Sequence, residues 1–438
     1  WSYALKKLED ANLIATSTTG DSTFIDSHPL IRDFLNENLR REKPEVWRQG
    51  NKIVFNFLQD NAIANPKSMV QLEPLFRAVI HGTRAGLVEE SFQLYFDRIK
   101  RKQFSIFTEG SHHADQSCIR AFLRRPWTEP VAELSELASF YLLSCAAANL
   151  IYLGQIDAAL APSILSIQGF QKSQSWFEAA VTSGPLISML IATGRLHDAR
   201  QEWDSGQESL AAADNEVLLA VSISIGAYLS FLEGDSDEAA KLFDVAEIIL
   251  NKREPDCEPA CPTISSYYCK YLLDTGETDR ALKRALLTLE WRKTNVWQVA
   301  VDTTSLFASD LLVLGLIYLE IEDLKSASHY LNKQVELFKG ANEWLYLPSG
   351  LIARAKLHVA KGDHVAAERD LEEALAIAKN TGALLSTWEA NIALAELAIS
   401  SENLCTGQLY FERAMEIEGM ALYKHYSVQL ESLKVQLY

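Results

Sequence analysis

Two groupings in the sequence bring metal-ligand residue types together: His112 and His113 ahead of Cys118, and Cys257 and Cys261 ahead of Cys269. Neither has the paired C-x-x-C spacing of a closed zinc site. Cys269 also falls inside an apolar helical pattern, where a buried thiol acts as a small hydrophobe. No metal is expected. The acid pairs Glu372–Glu373 and Asp237–Glu238 fall on exposed faces of predicted helices near turns, where they read as solvated charge and not as general acid and base. A phosphate-binding Gly-x-x-x-x-Gly-Lys-Ser/Thr loop is absent, as are a Gly-x-Ser-x-Gly elbow and a His-Glu-x-x-His pair. The chain is therefore expected to bind and not to catalyse, and the question becomes what scaffold presents its binding residues.

The 438 residues, 48% of them hydrophobic and 23% charged, describe a folded chain. A single core tends to stop growing near ~250–300 residues, so this length calls for several domains or an elongated repeat array. No stretch approaches the ~18–20 apolar residues of a membrane span, and no signal peptide opens the chain. Six scattered cysteines form no disulfide framework, which points to a reducing cytoplasm. The net charge of −17 is uneven, +3 over residues 1–126 and −20 over residues 127–438. A long acidic array repels a phosphate backbone, so nucleic acid is not an expected partner and a protein with a basic surface is.

A repeated turn settles between the two architectures. It recurs at Gly154, Gly194, Gly234, Gly276, Glu322, Gly362 and Glu402, at intervals of 40, 40, 42, 46, 40 and 40 residues. Five positions after each turn residue stands a small one: Ala159, Ala199, Ala239, Ala281, Ala327, Ala367 and Gly407. Seven positions before it stand Ala147, Ala227, Cys269, Gly315, Ala355 and Ala395, with Ile187 the exception. Small residues let two helices cross closely, and bulky ones nine positions after the turn, such as Trp203, Phe243 and Leu331, fill the space beside them. Each unit is thus a helical hairpin whose turn glycine supplies a left-handed cap. The pattern, nearly complete in Leu311, Leu314, Gly315, Tyr318 and Ala327, resembles the tetratricopeptide repeat, with a period near 40 in place of the familiar ~34. An earlier unit is expected around Gly86, and residues 101–130, rich in His, Arg and Pro, read as an irregular connection. The fold class is all-α: a tetratricopeptide-like solenoid superhelix, preceded by a partial winged-helix segment with a small β-hairpin.

Such an array presents a concave face lined by the first helix of each unit. Positions thirteen, ten, six and three before each turn residue give that face, including Tyr228, Phe231, Lys270, Leu316 and Lys356. Trp297 and Trp388 stand at or near the starts of first helices, and Trp176 and Trp344 share one offset from their turns. Aromatics there serve either as interface anchors or as packing between units. The expected ligand set is Tyr228, Phe231, Lys270, Trp297, Leu316, Lys356 and Trp388, and the expected ligand is a protein or peptide.

Ahead of the repeats, Tyr3–Leu13 reads as a helix, a hairpin follows around Thr19-Gly20-Asp21, and Pro29 opens a further helix after His28. The order "ALKKLEDANLI, hairpin, HPLIRDFL" resembles the winged helix of STAND signalling NTPases, the class containing NACHT and NB-ARC proteins. "EPLFRAVIHGTRAG" (Glu73–Gly86) and "RPWTEP" (Arg125–Pro130) are similar to the sequence joining that domain to repeats in bacterial members. The resemblance implies domains at 1–45 (partial winged helix), 46–130 (helical linker with a first hairpin) and 131–438 (repeat sensor). It implies that His28 contacts the phosphate of bound ADP, although Pro29 stands where an Asp often follows that His. No cofactor is implied in this chain, and ATP/ADP with Mg in the parent protein. It implies an upstream NTPase domain, a trigger, frequently a foreign protein in antiviral members, and oligomerisation on activation that switches on an N-terminal effector. The other readings are a STAND-type transcription regulator and a constitutive scaffold. Trp1, without Met and in mid-element, reads as a cut within the winged helix.

Overall fold

The computed structural model describes residues 2–11, 13–19, 22–64, 66, 68–100, 112–253, 262–294 and 304–437. The chain opens with α1 (Ser2–Asp10), an antiparallel hairpin of β1 (Ile14–Thr19) and β2 (Ser22–Ser27) that pairs Ile14 with Ser27 and Thr19 with Ser22, and α2 (Pro29–Glu42). Three further helices follow: α3 (Pro44–Asn61), α4 (Met69–Ala85) and α5 (Val88–Leu94), the last prolonged by a π-helical turn at Tyr95–Lys100. Gly86, at φ 82°, separates α4 from α5 where the earlier unit was expected. Within residues 101–130 the structure describes α6 (His112–Ala121) and a short antiparallel pair, β3 (Leu123–Arg125) with β4 (Glu129–Pro130), in place of an irregular connection. Residues 101–111 lie outside the described set.

Seven hairpins then succeed one another. They are α7 (Glu136–Tyr152) with α8 (Ile156–Lys172), α9 (Trp176–Ala192) with α10 (Leu196–Ala212), α11 (Glu216–Leu232) with α12 (Ser236–Arg253), and α13 (Pro262–Asp274) with α14 (Thr278–Thr294). The series continues with α15 (Thr304–Glu320) and α16 (Leu324–Ala341), α17 (Leu347–Ala360) and α18 (His364–Thr381), and α19 (Leu384–Ser400) and α20 (Leu404–Met415). A last helix, α21 (Ser427–Leu437), covers the end of the array, burying Leu433 and Leu437 against Trp388, Ile392, Phe411 and Ala414.

All seven phased turn residues adopt positive φ, from 59° at Glu402 to 91° at Gly234. Where glycine gives way to Glu322 and Glu402 the geometry is retained, at the steric cost a side chain bears in the left-handed region. Each turn returns its amide to the helix it ends; Gly154 N–H bonds Ile151 O and Gln155 N–H bonds Leu150 O. Asp235, Asp323, Asp363 and Asn403, one residue on, accept a backbone N–H of the next helix and so start what the turn has stopped. The small residues meet as their spacing requires. Cys269 Sγ lies 3.7 Å from the carbonyl of Ala281, and a Cβ on Gly407 would stand 3.4 Å from that of Ala395. This is an all-α solenoid of tetratricopeptide-like hairpins.

The superhelix curls until its ends touch. Gly154 abuts Thr381 and Trp344, and Gly194 abuts Leu384 and Met420. His112 reaches Glu343 at 3.7 Å while its Nδ1 meets Asn149. One hydrophobic cluster consequently runs from Leu150 and Ile151 through the middle units to Leu345, Ala378, Leu385 and Tyr423. The concave face is therefore lined in part by the residues of this cluster.

Candidate functional site

The interior is built from the first helices of successive units. On α11, the 3.6-residue period turns Tyr228 and Phe231 to the same side, with ring centroids 6.3 Å apart. Tyr228 stacks on Tyr267 of α13 at 4.7 Å, and the Tyr267 hydroxyl pairs with Ser188 of α9 at 3.0 Å. Lys270, one turn further along α13, places Nζ 5.8 Å from the Tyr228 ring. Burial by itself would depress the Lys270 ammonium, yet it is raised above its ordinary range; with the phenols of Tyr228 and Tyr426 neutral, the charges that favour the ammonium near pH 7 are the carboxylates of Glu389 and Asp274. Burial raises the phenols of Tyr228, Tyr267, Tyr346 and Tyr426, so these rings stay neutral at physiological pH. A fixed cation among neutral phenols binds and orients; it does not transfer protons near pH 7.

The chain's own residues 419–426 enter this interior. The stretch comprises two 3-10 turns, Met420–Leu422 and Lys424–Tyr426, between α20 and α21. The Tyr423 hydroxyl donates to the carbonyl of Ile191 at 2.6 Å. The His425 ring sits 4.0 Å from that of Phe231, and its Nε2 is 3.5 Å from Asp274 Oδ2. Tyr426 lies 4.8 Å from the Trp388 indole and donates to Glu389 at 3.2 Å.

Four of the expected ligand residues, Tyr228, Phe231, Lys270 and Trp388, are therefore gathered around one short segment. Tyr228, Phe231 and Trp388 are buried, and Lys270 is partly so. Leu316 is elsewhere, half-buried in the packing of Ala327, Leu331, Ala353 and Leu357. Lys356 is exposed on α17, and Trp297 lies outside the described residues. Trp176 and Trp344 are half-buried, Trp344 against the Gly154 turn. His28 is exposed, and its Nδ1 accepts the Leu30 N–H at 3.3 Å as the cap of α2. The inner-face positions did not include Tyr267, Tyr423, His425 or Tyr426; Glu389, thirteen before Glu402, is one of them. The available signal was the run Gly-Met-Ala-Leu-Tyr-Lys-His-Tyr, aromatic and basic where the acidic array should have continued a helix. Among the described residues, no cluster of His, Cys, Asp and Glu could hold a metal, and no helix is long and apolar enough to cross a membrane. Cys257 and Cys261 lie outside them.

No family model and no curated protein matches the chain. Among solved structures it is similar to a signal transduction ATPase with numerous domains (STAND) protein with a tetratricopeptide repeat sensor from Pyrococcus horikoshii, at 16% identity and a TM-score of 0.40 over 99% of this chain. The chain spans 60% of that protein's length. It is also similar to a Rap protein complexed with competence and sporulation factor, at 11% identity and a TM-score of 0.37, covering 92% of this chain and 96% of the other. Likenesses this distant carry no inference about function.

Proposed function

We propose that this chain is the ligand-sensing, protein-interaction region of a STAND-type signalling NTPase of the cytoplasm, and that it binds a polypeptide trigger on the inner face of its superhelix. The observation that carries the reading is the lining of that face, where Lys270 is surrounded by Tyr228, Tyr426, Glu389 and Asp274 and Tyr228 stacks on Tyr267. Neutral phenols, one ammonium and carboxylates suit peptide groups and mixed side chains better than a lipid or a nucleic acid. In the parent protein, trigger binding would release autoinhibition, permit oligomerisation and engage an N-terminal effector in antiviral defence. A trigger must favour the open state by about 5.5 kcal/mol to carry such a switch from 1:99 to 99:1.

The nucleotide belongs to the upstream domain, with ATP/ADP and Mg supplying the switch's energy. His28 fits a role toward it. Because Nδ1 accepts from Leu30, the neutral ring carries its proton on Nε2, an exposed donor at a helix N-terminus where phosphate oxygens are favoured.

The reading is tested by selecting binders to the full chain from a displayed library of random dodecapeptides. Selected peptides are expected to bind Lys270→Met and Lys356→Glu at least about tenfold more weakly than the parent sequence. Equal binding to all three would overturn the assignment of the inner face.

A further inference from the structure

We propose that residues 419–426 are a tethered occupant of the ligand groove. They would hold it until an external polypeptide segment of the same chemistry, a tyrosine followed by basic and aromatic side chains, displaces them. This rests on the reading of the inner face as the ligand site.

The chain leaves the repeat path to reach the groove. Second helices of the units run 17 or 18 residues in α8 and α18, but α20 stops after 12, at Met415. Residues 416–426 then separate α20 from α21, whereas residues 173–175, 213–215 and 382–383 suffice between other units. Gly419, at φ 83°, makes the inward bend, and its α-carbon rests on the Gly194 carbonyl so closely that a Cβ would lie 2.5 Å from that oxygen. No other residue type fits there without moving the segment.

What the segment covers explains its composition. Gly419 sits at the end of α9, Tyr423 bonds Ile191 in the last turn of α9, Lys424 packs on Gly234 just past α11, and His425 faces Asp274 at the end of α13. Carboxyl ends of helices carry partial negative charge, about half an electron each. Lys424 and His425 lie against the ends of α11 and α13, where a positive side chain of a competing ligand would be favoured. The fit is also incomplete. The Trp388 indole, 2% exposed and against Tyr426, has no hydrogen-bond partner for Nε1 among the described residues. Leu422 and Lys424 remain exposed. An unpaired buried donor weakens an occupant, and a ligand bringing an acceptor to it would outcompete one that does not.

A tether of this length holds its own copy at millimolar effective concentration, so a free peptide meets a blocked groove. The probe is a fluorescently labelled synthetic peptide with the sequence of residues 419–426, titrated by anisotropy against the full chain and against Gly419→Ala and Tyr423→Phe. Tyr423→Phe keeps the ring and removes one hydrogen bond, so it stays folded if Gly419→Ala does not. Both variants are expected to bind the peptide about tenfold more tightly than the parent chain, the factor set by weakening the tether through one buried contact. Equal affinity for all three chains would remove the tether and leave the groove. The tether also falls if none binds this peptide while the library-selected peptides still bind. Failure of the library selection itself is read in that separate experiment.

Discussion

Gly315 and Leu331 meet where α15 crosses α16, and a methyl group added to the glycine would land on the branched end of the leucine. Gly315 stands seven positions before its turn residue and Leu331 nine after it, so the pair joins two of the offsets by which the repeats were found. The contact explains why the small residue is needed there. A larger one would separate the helices and open the hairpin's core.

Gly315→Ala is the direct check. Alanine gains about 1 kcal/mol in helix propensity, but overpacking a filled crossing costs about 1–3 kcal/mol. A net loss of up to about 2 kcal/mol is expected from urea denaturation. In Gly315→Ala/Leu331→Val the loss should be smaller than the sum of the two single losses, because the second change makes room for the first. Strict additivity would show that the two residues do not share a contact.

Ahead of the repeats, Asp115 is fully buried and accepts from Lys100 Nζ at 2.5 Å, Tyr95 OH at 2.8 Å and Asn149 Nδ2 at 2.6 Å. The last bond ties α6 to the first hairpin. Asp115→Asn keeps the shape but turns donors toward donors and leaves the Lys100 ammonium facing an amide. A loss of about 3–5 kcal/mol is expected, read as a fall in the denaturation midpoint. Adding Lys100→Met should recover part of it. If the double variant is no more stable than Asp115→Asn, the charge pair is not the source of the effect.

The parts of this architecture that were legible in the sequence are those imposed by local geometry. A left-handed turn admits few residues, and a close crossing admits only small ones, so Gly154 or Ala239 announces its place whatever the distant chain does. Tyr228, Phe231 and Lys270 were legible as inner positions for the same reason, through the helical period. The segment around Tyr423 was not, because its partner Ile191 is 232 residues away and the curvature that brings them together is written in no single repeat. Trp388 was expected among the ligand-binding residues; α21 and Tyr426 cover it. The helix α6 escaped notice because it turns His112 and Asp115 inward, so that its buried face reads as polar.

His81 ties stability to pH through that same N-terminal region. Its Nδ1–H donates to Asn51 Oδ1 at 2.8 Å, and burial, with Arg84 and Arg77 adding to it, lowers the ring from 6.5 to about 4. The folded chain thus favours the neutral ring, whereas the unfolded chain protonates near 6.5. The stabilisation from His81 is fully present above pH 6.5 and is lost as pH falls toward about 4. At 1.36 kcal/mol per pH unit the full displacement corresponds to about 3 kcal/mol. Solvent screening of this half-buried ring reduces that to about 1–2 kcal/mol. His81→Gln retains a donor for Asn51 and does not titrate. The variant and parent should therefore lie within about 1 kcal/mol at pH 7.5 and diverge by about 1–2 kcal/mol in the variant's favour by pH 4.5, measured by urea denaturation at each pH. Parallel curves across that range would mean that the ring is protonated as readily in the folded chain as in the unfolded one.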